Sequence, residues 1–102
     1  MDTRSHPEFY RYYAEQGQRD STFQRFRNLN KAIENILNIG DDDRLRVADI
    51  GCGPGTSSLV WSSRGHFVAG LDINKPLLDL ARSRARERGL TAEFLVGSAH
   101  AL

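Results

Sequence analysis

Asp49, Gly51, Gly53, Gly55 and Asp72 are the residues whose types and spacing could do chemistry in this chain. The run Val47-Ala48-Asp49-Ile50-Gly51-Cys52-Gly53-Pro54-Gly55-Thr56 reads as a strand that enters a glycine-dense turn and leaves it as a helix. Gly51 and Gly53 let the backbone turn sharply and let a flat ligand approach the main chain. Asp72 follows about 20 residues later, in Gly70-Leu71-Asp72-Ile73-Asn74, at the end of a second strand. A carboxylate there can accept hydrogen bonds from two ribose hydroxyls. A glycine triplet alone is weak evidence. The triplet with this acid in register is specific for a nucleoside site at the carboxyl ends of two parallel strands.

Those residues need a scaffold, and the apolar pattern supplies one. Residues 45–50 are too few for a helix and too apolar for a half-exposed strand, which predicts a buried parallel strand. Residues 56–64 follow as a short helix stopped by Gly65, and 67–72 as the second strand. Asn74 can cap the next helix, with Pro76 tolerated in its first turn. Leu77, Leu80, Ala81 and Ala85 give that helix an inward face, Gly89 ends it, and 92–97 form a third strand. The β-α-β-α-β alternation predicts right-handed crossovers and a parallel sheet, an α/β fold.

The first 44 residues belong to a different regime. A helix is predicted over 22–39, with Ser21 and Gln24 as a capping box and Gly40 as its stop. Its inward face would carry Phe23, Phe26, Leu29 or Asn30, Ile33, Ile36 and Leu37. Ahead of it lies the cluster Phe9-Tyr10-Arg11-Tyr12-Tyr13. The chain therefore divides into an amino-terminal helical segment, 1–44, and a nucleoside-binding core, 45–102.

Composition removes several function classes. With 14 Lys plus Arg against 13 Asp plus Glu, bulk charge gives no reason to expect nucleic acid as partner. No apolar run approaches the roughly 18 residues of a membrane span, and no apolar stretch marks a secretion signal. One cysteine, Cys52, cannot build an internal disulfide or a multi-cysteine metal cluster. A cytoplasmic location is the simplest expectation.

The loop chemistry narrows the ligand. Dinucleotide sites use G-x-G-x-x-G, with a helix amino terminus facing the pyrophosphate. This chain has G-x-G-x-G, with Thr56 where that fingerprint has its third glycine. Pro54 removes an N–H that an anion could use. The loop suits a nucleoside without a diphosphate better than it suits NAD.

On these residues the chain resembles the first half of a class I S-adenosylmethionine-dependent methyltransferase, and within it the small-molecule branch that includes the quinone-biosynthesis enzymes. Asp49-Ile50-Gly51-Cys52-Gly53-Pro54-Gly55 matches the family's cofactor loop, and Asp72 its ribose-binding acid. Gly97-Ser98-Ala99-His100-Ala101-Leu102 matches the segment beside the adenine. The resemblance implies a Rossmann-like core and S-adenosylmethionine held by Asp49, Gly51, Cys52, Gly53, Gly55, Asp72, Ile73, Ser98 and Ala99. Many members carry Asp where Ser98 stands, so the adenine amino group would be held more weakly here. The resemblance also implies a core of about seven strands in the order 3-2-1-4-5-7-6. The chain then reads as an amino-terminal part that is inactive alone, with no catalytic base of its own. The amino-terminal aromatics would form a lid, and the acceptor would be a small molecule.

Other residues invite blander readings. Cys52 suits a packing role, and His100 a surface role rather than that of a base. Arg82, Arg84, Arg86 and Arg88 are expected on a solvated helix face. His6 and His66 carry no functional case. An NAD-type oxidoreductase fragment and a non-enzymatic module that pairs through its first strand remain alternatives.

Overall fold

The structure is a computed structural model that describes residues 7–17 and 19–98. Two helices, α1 (Pro7–Gly17) and α2 (Asp20–Ile36), precede the alternation β1 (Arg46–Ile50), α3 (Thr56–Ser63), β2 (Phe67–Asp72), α4 (Lys75–Glu87) and β3 (Glu93–Val96). The three strands form a parallel sheet in the order β1-β2-β3. The expected α/β architecture is borne out, and each core element falls within a residue or two of its predicted span.

Strand alternation gives the sheet two unlike faces. Val68, Gly70, Asp72 and Phe94 point to the helical side and are buried there. Phe94 packs with Leu59, Leu78, Ala81 and Ala85 to form the core under α3 and α4. On the other face, Ile50, Leu71 and Leu95 line up in register across all three strands. Ile50 and Leu95 are about half exposed, and Phe67 more so. The reading of β1 as a buried strand is corrected on this point. Only alternate residues of β1 turn inward, because β2 pairs with one edge and the helices cover one face.

The amino-terminal region also departs from its reading. α2 begins at Asp20, two residues early, and its N-cap is Arg19 with no side-chain capping bond, so Ser21 does not form the expected box. The helix ends at Ile36, before Gly40. Asn38 takes the left-handed conformation there (φ 56°), and the Ile39 N–H reaches back to the Glu34 carbonyl. Asn tolerates this conformation better than most residues with a Cβ. Leu29, Ile36 and Leu37 are exposed, while Thr22 and Asn30 are buried. The true inward face follows Thr22, Phe26, Asn30 and Ile33 against α3, which is therefore covered on both sides.

A candidate nucleoside site at the glycine loop

The site grows out of the end of β1. All three loop glycines adopt left-handed backbone: Gly51 at φ 69°, Gly53 at 55° and Gly55 at 82°. An L-residue with a Cβ resists this region by roughly 1–2 kcal/mol, which explains glycine at every second position. The Gly51 and Cys52 N–H groups both donate to the Leu71 carbonyl, at 2.7 and 3.0 Å, so the loop folds over the end of β2.

The glycines serve two purposes. A Cβ on Gly55 would lie 2.7 Å from the Ala81 Cβ and 3.2 Å from the Phe94 ring, so this glycine permits close packing of loop, α4 and β3. Gly70 does the same on β2, where a Cβ would meet Phe94 at 2.7 Å and the Cys52 sulfur at 2.9 Å. At Gly53 the nearest atom to a Cβ would be Leu77 at 4.0 Å. Gly53 is buried, but it lines a cavity beside the loop, where a ligand can approach its backbone.

Asp72 lies beneath this loop. It is 5% exposed; one carboxylate oxygen accepts from Gly53 N at 2.9 Å and the other from Asn74 N at 2.8 Å. Asn74 in turn caps α4 by accepting from Leu77 N, as its sequence position suggested. Asp72 therefore joins the glycine loop to the start of α4. Each of its oxygens retains a second lone pair for a further donor.

Asp49 stands on the inward side of β1 and accepts the Ser58 hydroxyl at 2.6 Å. Burial pushes its carboxyl above the ordinary value, with the Ser58 bond opposing that shift. Burial, together with the charges of Asp49 and Asp72, raises the Cys52 thiol to about 12. At neutral pH it is a protonated packing residue, as its loop position suggested.

A cavity of about 390 Å³ opens beside the loop, within the range of roughly 300–1,000 Å³ usual for small-molecule sites. Asp49, Gly51, Cys52 and Gly53 form its floor. The opposite wall is Tyr12, Tyr13 and Gln16 of α1, with Arg25 and Phe26 of α2. Tyr13 holds its place through Phe9 and Tyr12, with ring centroids 4.4 and 5.1 Å away. The sequence drew attention to the tyrosines. It gave no signal for Arg25 or Gln16, which only the packing of α1 and α2 brings to the loop.

The remaining expected residues divide. Gly55 supports the loop from beneath, Ile73 follows the buried Asp72, and Ser98 is half-buried past the end of β3. Ala99 and His100 lie outside the described residues.

One expectation fails. Arg84 is not on a solvated face but 4% exposed, donating to the Pro54 carbonyl at 2.7 Å and the Thr56 hydroxyl at 3.1 Å. Alternation of arginines along α4 suggested solvent, yet position 84 falls on the inward stripe with Leu77, Leu78, Ala81 and Ala85. Its guanidinium satisfies the loop carbonyl that Pro54 leaves open. His66 has a structural part: its Nδ1 accepts from Leu45 N at 2.9 Å, and its ring packs on Trp61 at the entry to β1.

A parallel sheet with a glycine loop at one strand end and an acid at the next is the arrangement of a Rossmann-like α/β fold. The comparisons name the family. Residues 47–102 match the methyltransferase domain family, and the chain belongs to it. The expected class I S-adenosylmethionine-dependent relationship is thereby borne out.

Two relatives illustrate the range. An uncharacterized RNA methyltransferase of Parasynechococcus marenigrum is 47% identical over 53 residues, 50% of this chain and 11% of that protein. A ubiquinone biosynthesis O-methyltransferase of Actinobacillus pleuropneumoniae is 41% identical over 49 residues, 48% of this chain and 21% of that protein. The matches thus span about a tenth to a fifth of the relatives' length. Among solved structures, the PH0226 protein of Pyrococcus horikoshii aligns with a TM-score of 0.76 at 28% identity, covering 93% of this chain and 44% of that one. An S-adenosylmethionine-dependent methyltransferase of Methanosarcina mazei aligns with a TM-score of 0.56 at 40% identity, covering 67% and 34%.

Proposed function

We propose that this chain binds S-adenosylmethionine in the cavity beside the glycine loop and that the whole protein transfers its methyl group to a small-molecule acceptor. The observation that carries the reading is the cavity that Asp49 and Gly53 line, with Asp72 bonded to Gly53 and aromatic side chains opposite. The cofactor supplies an activated methyl on a sulfonium centre, so the protein's task is alignment and desolvation rather than acid–base chemistry.

Each residue has a part in that task. Asp72 keeps lone pairs for ribose hydroxyls while its existing bonds lock loop and α4 in place. Gly51, Cys52 and Gly53 present backbone to the nucleoside, with Ile73, Ser98 and Ala99 assigned to its base. Asp49 offers negative charge to the cationic end of the ligand. Tyr12, Tyr13 and Phe26 exclude water as a lid over residues of the 45–102 core. An acceptor of small size is supported by the limited volume of the cavity, and a cytoplasmic site by the lone cysteine and near-balanced charge. Among the described residues no helix is long and apolar enough to cross a membrane.

Calorimetric titration with S-adenosylhomocysteine tests the reading. Saturable binding by the folded chain, abolished by Asp72→Ala but not by Arg88→Gln, is the expected result. A folded chain that shows no heat of binding would sink it.

A further inference from the structure

Net charge conceals a local concentration of cations on the far side of α4. Three guanidinium groups surround the single ring of Phe23 on α2. Arg27 lies 5.7 Å from its centroid, Arg84 5.1 Å and Arg88 4.8 Å. They come from three directions in sequence: Arg27 one turn along α2, Arg84 from within α4, and Arg88 from the C-cap of α4. Stacking on an aromatic face is favourable by roughly 0.5–1 kcal/mol at exposed sites. It does not cancel the repulsion of three like charges gathered at one ring.

Arg84 is accounted for by its bonds to Pro54 and Thr56. Arg27 and Arg88 are not. Both are exposed, and neither guanidinium forms an ion pair or hydrogen bond with any described residue. They border an open cleft of about 450 Å³, together with Asp20, Ser21, Phe23 and Gln24. The Ser21 hydroxyl and the Gln24 amide bring neutral donors to the same space, and Asp20 is the single acid on its rim. The contact with Phe23 places the Arg27 and Arg88 guanidinium groups at the cleft and uses none of their N–H donors. A planar fork of N–H donors matches two oxygens of a tetrahedral oxyanion.

We propose that this cleft between the first turns of α2 and the end of α4 is a binding site for a phosphate group, held by Arg27 and Arg88. A phosphate there supplies countercharge to the Arg27 and Arg88 guanidinium groups. It would also favour the buried cation behind it: Arg84 is lowered to about 10, first by desolvation and then by the charge of Arg88. Because Arg84 holds the Pro54 carbonyl, the cleft is connected to the glycine loop through one side chain. The phosphate has two sources, a small phosphorylated molecule or the backbone of a nucleic acid, and the arginine chemistry is common to both.

The test follows the arginine side-chain Nε–H signals of the folded 102-residue chain by NMR. Inorganic phosphate is titrated first, then a single-stranded oligonucleotide, with an Arg27→Gln/Arg88→Gln variant alongside. Both side chains are exposed, so the variant keeps the fold and its amide spectrum reports this. The expected result is a saturable shift of the Arg27 and Arg88 Nε–H signals with phosphate in the parent, and a saturable shift of the Ser21 and Gln24 backbone amides whose apparent affinity falls at least tenfold in the variant. An oligonucleotide bound at least tenfold more tightly than phosphate, with a salt dependence that falls by about 1.4 in log–log slope on loss of two contacts, assigns the source to nucleic acid. Equal or weaker binding assigns it to a small phosphorylated molecule. No saturable shift, a shift unchanged in the variant, or a chain without a dispersed spectrum would each overturn the proposal.

Discussion

The carboxylate of Asp72 accepts the Gly53 N–H at 2.9 Å, joining the last residue of β2 to the middle of the loop that follows β1. The two residues are 19 apart in sequence. The contact makes the acid at the end of β2 and the glycine loop one unit before any ligand arrives. A second bond, from Asn74 N, extends the unit into α4.

Asp72→Ala is therefore expected to damage two properties at once. Hydrogen bonds to a charged group contribute about 1.5–3 kcal/mol, and Gly53 N and Asn74 N would both lose their acceptor. Unfolding by urea should show a loss of about 2–4 kcal/mol, and titration should show no binding of S-adenosylhomocysteine. Asp72→Asn keeps one acceptor oxygen and should recover part of the stability. Stability unchanged in the alanine variant would mean that the buried bonds are not formed.

The loop glycines should separate into packing and approach. Gly55→Ala forces a Cβ to 2.7 Å from Ala81 at φ 82°, so both strain and overpacking oppose it. A loss of about 3 kcal/mol or more is expected, seen as a fall in the denaturation midpoint. Gly53→Ala meets nothing nearer than 4.0 Å and should cost only the left-handed conformation, about 1–2 kcal/mol. Its larger effect should fall on ligand affinity, because Gly53 lines the cavity and its N–H holds the Asp72 carboxylate. Equal effects of the two substitutions on stability would contradict the geometry.

The core was legible because its signals are local. Gly65, Asn74 and Gly89 mark helix ends by backbone chemistry that each residue carries alone, and the parallel alternation follows from short apolar runs. What stayed hidden depends on packing between distant segments. Arg84 looks like one of four solvated arginines until the loop carbonyl of Pro54 is placed beside it. The inward face of α2 was misassigned because its buried stripe contains Thr22 and Asn30, while the apolar Leu29, Ile36 and Leu37 are exposed. No count of apolar residues could have found that stripe.

Asn30 is the extreme case. It is 1% exposed, and neither side-chain amide atom has a partner among the described residues. A buried polar group left unpaired costs about 1–3 kcal/mol. Asn30→Leu removes that penalty with a side chain of the same branching and heavy-atom count and is expected to raise stability by about 1–2 kcal/mol in urea denaturation. A destabilised variant would show that the amide makes bonds that the packing does not reveal.

Asp49 makes the pH dependence testable. Its carboxyl is raised above the ordinary 3.8 by burial, so between that value and the raised one the folded chain binds more protons than the unfolded chain. The contribution of Asp49 to stability therefore falls as pH rises through this window and is constant above it. Asp49→Asn abolishes the dependence while still offering an acceptor to Ser58. The advantage of the variant over the parent should grow from about pH 3.8 upward and then level off, as measured by denaturation at a series of pH values. An advantage that shrinks with rising pH would reverse the assignment.

The sheet's bare face gives the last expectation. Ile50, Leu71 and Leu95 form an in-register apolar row, and the outer edge of β1 is unpaired among the described strands. Phe67, 64% exposed, stands on the same face. An exposed apolar face beside a free edge invites pairing with another chain, and charged side chains are the usual deterrent. The 102-residue chain should self-associate at micromolar to millimolar concentration, and Phe67→Lys with Leu95→Lys should shift it toward monomer in sedimentation velocity. These two positions lie away from the glycine loop, so the double variant should keep its affinity for S-adenosylhomocysteine. A parent chain that sediments as a monomer throughout would show that the face is tolerated in water as it stands.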